Sequence, residues 1–359
     1  MNLNKLLRQA EIDAKKDLKN INLCLSNRCN ATCIWCPSTR GTNHNYDMPW
    51  MTAKKIIDEL ADPNYPFETK MIHLSENGEA IYNPDFLKIC RYIKEKLPNT
   101  AVNLLSNFGM MSSKLSKTLL QENLLSSIQV NIDGHDAESY TAVKGIPYES
   151  VISNVIHFVN HMKDINPKFD FCINVMPAFE YVVTVASVFK RPPEQVDGEV
   201  PYSDFELVEK SLRNFLSDDI RIRHSKAGLW AERRQVANGL APRHPDTTIL
   251  DCPMLERVEE EAFIAPNGDW YPCCLDDNQD IVLGNVNENT LLEIFNNDTR
   301  KKFIKLLKTR QWEEIGYPCN TVECCQIITL PKEIYTREYG EYTAGSKIIL
   351  KQPKDSVAT

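Results

Sequence analysis

From about residue 20 to residue 176, short apolar runs of strand length alternate with segments whose apolar residues return every three or four positions. The first kind predicts strands near Ile21–Leu25, Met71–Leu74, Val102–Leu105, Ile128–Ile132 and Phe169–Met176. The second predicts helices over Ala53–Ala61, Pro84–Leu97 and Glu149–Met162. Strand, helix and strand in repetition is the rhythm of a parallel α/β fold, since a parallel pair needs a long crossover that a helix supplies. The expectation for residues 21–235 is a partial (β/α)6 TIM-like barrel, in which functional groups gather at the C-terminal ends of the strands.

The pattern changes further on. FIAPNGDWYP reads as a short hairpin with Pro-Asn-Gly at its turn, followed by Gly284-Asn285-Val286, one helix and then a basic helix ending before YPCN. This divides the chain into a polar N-terminal helical extension (1–20), the partial barrel (21–235), a small hairpin-plus-helix domain (236–330) and a C-terminal tail (331–359). The Pro- and acid-rich stretch within 178–218 reads as a loop or lid.

Composition adds boundaries to this picture. A chain of 359 residues that is 42% hydrophobic and 25% charged can bury one large core or two medium ones. No apolar run is long enough to span a membrane, and the polar first twenty residues lack the apolar stretch of a signal peptide. A cytoplasmic protein without membrane attachment is expected. The net charge of −8 argues against general nucleic-acid binding. Without an export signal, the 12 cysteines read as metal ligands and free thiols rather than disulfides.

Cys29, Cys33 and Cys36 fall in a loop directly after the first predicted strand. Four thiolates normally close a four-iron cluster, so three in a compact loop leave one iron open to chemistry. A structural zinc loop is the plainer alternative, but zinc needs a fourth ligand and prefers paired C-x2-C hooks. The text SNRCNATCIWCPSTRG, with Cys-x3-Cys-x2-Cys and Trp35 before the last cysteine, resembles the signature of the radical S-adenosylmethionine (SAM) superfamily. The resemblance implies a [4Fe-4S] cluster whose open iron is chelated by SAM. It also implies reductive cleavage of SAM to a 5′-deoxyadenosyl radical and a flavodoxin- or ferredoxin-type electron donor.

Three further strand ends carry the resemblance. HLSENGEAIYNPDF is similar to the family's Gly-Gly-Glu region, with Gly78 allowing close backbone approach and Glu79 offering an acceptor to the SAM amino group. Glu76 and Ala80 stand where relatives commonly have Gly and Pro. Ser106 and Asn107, in SNFG, resemble polar positions near the SAM carboxylate or ribose. Asn131 and Asp133, in NIDG, fall on the face of Gln129 by alternation. Each piece alone also suits an ordinary turn.

Cys252, Cys273, Cys274, Cys319, Cys324 and Cys325 form a second group. Their order around the hairpin and the Gly284 helix resembles the SPASM and shorter twitch extensions of radical SAM enzymes, which bind auxiliary iron–sulfur clusters. The resemblance implies one auxiliary [4Fe-4S] cluster held by Cys252, Cys273, Cys319 and one of Cys324 or Cys325, with Cys274 as an alternative; a zinc ribbon is the competing reading.

Cys172 lies on the polar face of FDFCINVMP with Asp170 and Asn174. It is a candidate hydrogen-atom donor for epimerisation, although a lone strand cysteine is more simply a core residue. Cys90 reads as helix packing. A basic run from Arg221 to His244, with Arg233 and Arg234 at its centre, could bind an anionic substrate or simply face solvent. The expected activity is dehydrogenation or epimerisation of a carbohydrate or aminocyclitol, a small-molecule substrate. A peptide maturase is the enzyme alternative, for which a first strand near residue 21 leaves no preceding room for a leader-binding domain. A non-catalytic iron–sulfur or zinc scaffold is the alternative of another class.

Overall fold

A computed structural model of the chain describes residues 17–33, 36, 46–74, 77–176, 199–201, 203–225, 252, 254–276, 279–316, 318–319 and 347–349. Its strands are β1 (Asn20–Leu23), β2 (Met71–His73), β3 (Ala101–Ser106), β4 (Ser127–Asn131), β5 (Asp170–Val175), β6 (Glu199–Pro201), β7 (Arg221–His224), β8 (Glu261–Ile264), β9 (Asp269–Tyr271), β10 (Gly284–Asn285) and β11 (Lys347–Ile349). The five predicted strands all form, and the class is parallel α/β as expected. β6, β7 and β11 were not anticipated: β6 lies in the stretch read as a loop or lid, β11 in the tail, and the charges of RIRH obscure the strand character of β7.

The chain folds as two compact units. The first comprises Met1–Asn27, His44–Val102 and Ile249–Cys325. Here β1 runs parallel to β2 on one side and to β8 on the other, with Asn22 opposite both His73 and Phe263. β8, β9 and β10 then continue antiparallel. The hairpin expected from PNG is present: Gly268 N–H donates to Ala265 O at 2.9 Å, and Gly268 takes φ 92°, open to glycine at little cost. The parallel pairing of β8 with β1, 241 positions apart between Asn20 and Glu261, is not signalled by any local pattern.

Helix packing in this unit follows apolar spacing. Thr52, Ala53, Ile56, Ile57 and Leu60 are the buried face of the helix Trp50–Leu60. That helix is pinned to the C-terminal segment by polar bonds. The Glu59 carboxylate accepts from Leu291 N–H (2.9 Å) and Leu292 N–H (3.0 Å) at the start of the helix Leu291–Asn296, satisfying donors that a helix leaves open.

The second unit comprises Arg28–Asn43, Asn103–Thr248 and Gln326–Thr359. The Asn103–Ser106 part of β3 pairs with β4, β4 with β5 and β5 with β7, all parallel. A separate antiparallel pair joins β6 to β11. The helix Tyr148–Ile165 buries Val151, Ile152, Val155, Phe158, Val159 and Met162. Phe158 meets Phe108 and Phe171 at ring separations of 5.6 and 5.1 Å, a packed aromatic centre beneath the strand ends.

Candidate functional site

The cysteine loop belongs to the second unit. Cys36 N–H donates to Cys33 O at 3.1 Å, curling the loop, while Thr32 N–H donates to Lys144 O at 2.9 Å. Gly145 ends the helix Ala137–Lys144 at φ 68°, and a Cβ there would lie 1.9 Å from Thr32 Oγ1. Glycine is therefore required twice over, by backbone and by contact. The helix itself begins with a reciprocal capping box between Asp136 and Ser139.

Donors converge on the sulfurs. Asn107 Nδ2 reaches Cys29 Sγ at 3.4 Å and Asn30 Oδ1 at 2.9 Å, and Ala31 N–H also donates to Cys29 Sγ at 3.4 Å. Asn107 is aimed by its own loop: Gly109 N–H donates to Asn107 Oδ1 and Phe108 N–H to Ser106 Oγ, with Phe108 at φ 61°. A buried phenylalanine in this left-handed region is a strained position held by its packing.

On the other side, Lys144 Nζ bonds Asp133 Oδ2 at 2.9 Å, with both side chains buried. Burial raises the Cys33 thiol and the Lys144 ammonium pulls it back. Burial works against the Lys144 charge, but Asp133 and Cys33 together hold its pKa well above the ordinary lysine value. The free Asp133 oxygen accepts Met176 N–H at 2.8 Å, so this carboxylate also fixes the exit of β5.

The donor set suits thiolates, which accept hydrogen bonds and are stabilised by nearby cations. Cys29, Cys33 and Cys36 thus fit as ligands of a cluster. Among the described residues no three His, Cys, Asp or Glu side chains surround a single ion. That geometry concerns one coordination sphere, whereas a cubane takes each thiolate on a different iron.

Gly78 and Glu79 lie in the first unit. Gly78 has φ 90°, and a Cβ would stand 2.4 Å from Ser26 O, so backbone packs directly on backbone there. Glu79 is buried and caps a short 3-10 turn, accepting from Ile81 N–H at 3.4 Å. Cys24 donates to Asn77 O at 3.0 Å beside them.

Among the C-terminal cysteines, Cys273 and Cys319 are buried and Cys252 and Cys274 half-buried, all in the first unit. Arg257 Nη1 lies 3.6 Å from Cys274 Sγ. Trp35, Arg233, Arg234, Cys324 and Cys325 lie outside the described residues.

Residues 252–325 match the SPASM family, an iron-sulfur cluster-binding domain, within the 236–330 segment expected to hold such a site. No curated protein matches the chain by sequence. Among solved structures, BtrN in complex with AdoMet and 2-DOIA is similar at 16% identity and TM-score 0.50, covering 87% of this chain and 93% of that one. Native anSMEcpe with bound AdoMet is similar at 14% identity and TM-score 0.52, covering 80% and 83%. Streptococcus suis SuiB bound to S-adenosylmethionine is similar at 12% identity and TM-score 0.53, covering 84% and 71%. The chain has the fold of radical SAM enzymes and carries a C-terminal SPASM domain, and the cofactors of that class are [4Fe-4S] clusters and SAM.

Lys144, Asn30 and Thr32 were not singled out in the sequence. The signal available was the Lys-Gly pair at the end of a capped helix beginning four residues after NID, which returns a cation toward the strand end it left.

Proposed function

We propose that this protein cleaves SAM reductively to a 5′-deoxyadenosyl radical that takes hydrogen from a small polar molecule, dehydrogenating or epimerising a carbohydrate or aminocyclitol. The observation that carries this reading is the ring of donors on the cysteine loop: Asn107 and Ala31 at Cys29, and Lys144 at Cys33. Cys29, Cys33 and Cys36 would hold the catalytic cluster. Trp35, Gly78, Glu79, Ser106, Asn107 and Asn131 are assigned to SAM, and Asp133 acts through Lys144. Cys252, Cys273, Cys319 and one of Cys324 or Cys325 would hold the auxiliary cluster, a group that carries electrons. A flavodoxin- or ferredoxin-type protein is the proposed donor.

A small polar substrate is supported by the face that β4, β5 and β7 share, which carries Gln129, Asn131, Cys172, Asn174 and Arg223. BtrN, in complex with AdoMet and 2-DOIA, is a similar fold. Within this reading, dehydrogenation is preferred. Epimerisation would use the Cys172 S–H, and this sulfur already accepts from Arg223 Nε at 3.1 Å while its S–H turns to Ile173 O. The variant C172A should therefore leave product formation in place; loss of product with SAM cleavage retained would favour the thiol donor.

Peptide modification is the second reading, supported by the similar folds of SuiB bound to precursor peptide SuiA and of anSMEcpe with the Cp18Cys peptide. The decisive experiment is anaerobic reconstitution with Mössbauer iron speciation and a 5′-deoxyadenosine assay, on wild type and on the C29A/C33A/C36A variant. Two four-iron clusters falling to one, with loss of 5′-deoxyadenosine, is the expected result. Wild-type protein with no 5′-deoxyadenosine would leave the scaffold reading.

A further inference from the structure

The polar face of β4, β5 and β7 is arranged in rows. Asn131, Asn174 and Arg223 are cross-strand neighbours, and the row before them is Gln129, Cys172 and Arg221. The row of Asn131, Asn174 and Arg223 lies toward the C-terminal ends of its parallel strands, where α/β folds place their ligands.

Most of these groups already have partners. Asn174 Nδ2 donates to Gln129 Oε1 at 3.0 Å. Arg221 is ion-paired with Asp170. Arg223 is exposed, and its Nε is tied to Cys172 Sγ at 3.1 Å, which fixes the plane of the guanidinium. Among the described residues, the terminal nitrogens of Arg223 have no hydrogen-bond or ion-pair partner, and Asn131 Oδ1 is a buried acceptor without a donor.

The charges decide the class of ligand. Arg221 and Asp170 cancel, so among the described residues of the face one positive charge stands unbalanced, on a fork that matches the two oxygens of a carboxylate. The Asn131 oxygen asks for a hydroxyl or amine hydrogen. It sits two strand spacings from Arg223, about 10 Å between backbones, a span for a ring-sized molecule bridged by the long arginine side chain.

We propose that this face binds a sugar acid, with its carboxylate on the Arg223 fork and a hydroxyl on Asn131 Oδ1, and that Cys172 is a positioning residue for Arg223. This rests on the reading of the protein as a SAM-dependent enzyme of small molecules and names the substrate class of that site. It moves the anion-binding role from Arg233 and Arg234 to Arg223, and gives Asn131 Oδ1 to the substrate rather than to SAM.

The test is calorimetric titration of the full, anaerobically reconstituted chain with glucuronate, galacturonate and gluconate. Methyl glucoside, methyl galactoside and sorbitol serve as the neutral counterparts, SAM as a separate titrant, and 5′-deoxyadenosine is assayed on the same samples. At least one acid should bind about tenfold or more tightly than its neutral counterpart, and R223Q should abolish that preference while SAM binds as before. R223K, which keeps the charge but not the fork, should recover part of it, and C172A should weaken the acid severalfold without affecting its neutral counterpart. The proposal is overturned if no acid is preferred, if R223Q keeps the preference, or if R223Q weakens SAM equally, since the guanidinium would then serve SAM. Should R223Q not fold, R223K and C172A decide by the same criterion: a preference equal to wild type in both overturns it. Acid binding without wild-type 5′-deoxyadenosine would sustain this site and defeat the proposed reaction.

Discussion

Lys144, beside the N-terminal cysteine loop, and Arg300, inside the SPASM segment, are 3% and 4% exposed, yet their charges are met differently. Lys144 is paired with a buried carboxylate, Asp133, and faces the Cys33 sulfur. Arg300 gives its terminal nitrogens to the carbonyls of Phe295, Val258 and Glu259 at 2.8 to 3.1 Å, and lies against the rings of Phe295 and Trp270. Burial lowers the Arg300 pKa to about 10, with the Glu259 charge opposing the shift. One cation balances other charges where chemistry is expected; the other stitches backbone ends together and would do so around any cluster. A buried charge thus marks a site when its partners are themselves ionisable, and a brace when they are carbonyls.

Breaking the first should cost most. K144M leaves Asp133 buried and unpaired, an expected loss of about 3–5 kcal/mol, read by chemical denaturation, and K144M/D133N should recover part of it. R300M strips three carbonyls of their donor and should cost about 2–3 kcal/mol. That loss should be the same with the C-terminal cysteines intact or replaced, and a cluster-dependent loss would erase the contrast. G145A should cost about 1–2 kcal/mol from its left-handed backbone and its clash with Thr32. Adding T32A should relieve the clash alone, leaving the backbone share. N107A, measured by redox titration of the reconstituted protein, should lower the potential of the N-terminal cluster by removing a donor to Cys29. Its effect on stability should be smallest, about 1 kcal/mol.

Much of this was written locally. β3, β4 and β5 follow from apolar runs, and the proposal for Cys29, Cys33 and Cys36 starts from their spacing. Gly268 at its turn needed only Pro-Asn-Gly. What escaped reading was long-range or terminal. Alternation placed Asp133 on the face of Gln129 and Asn131, but β4 ends at Asn131, so the rule of twos expires before reaching it and the carboxylate turns to Lys144. The run of arginines draws attention to its dense centre; among its described residues, Arg223 has its Nε held by Cys172, on an unanticipated strand.

The place of β1 between β2 and β8 has a consequence for biosynthesis. The strand that leads into the cysteine loop has one neighbour ending at His73 and another beginning at Glu261, 188 residues later by subtraction. At about 5–20 residues per second, a ribosome needs roughly 10–40 s to cover that distance. During that interval β1 has an open edge on its β8 side, and the cysteine loop follows a half-flanked strand. Completion of the sheet around β1 therefore waits on the arrival of the C-terminal hairpin, toward the end of translation rather than its beginning.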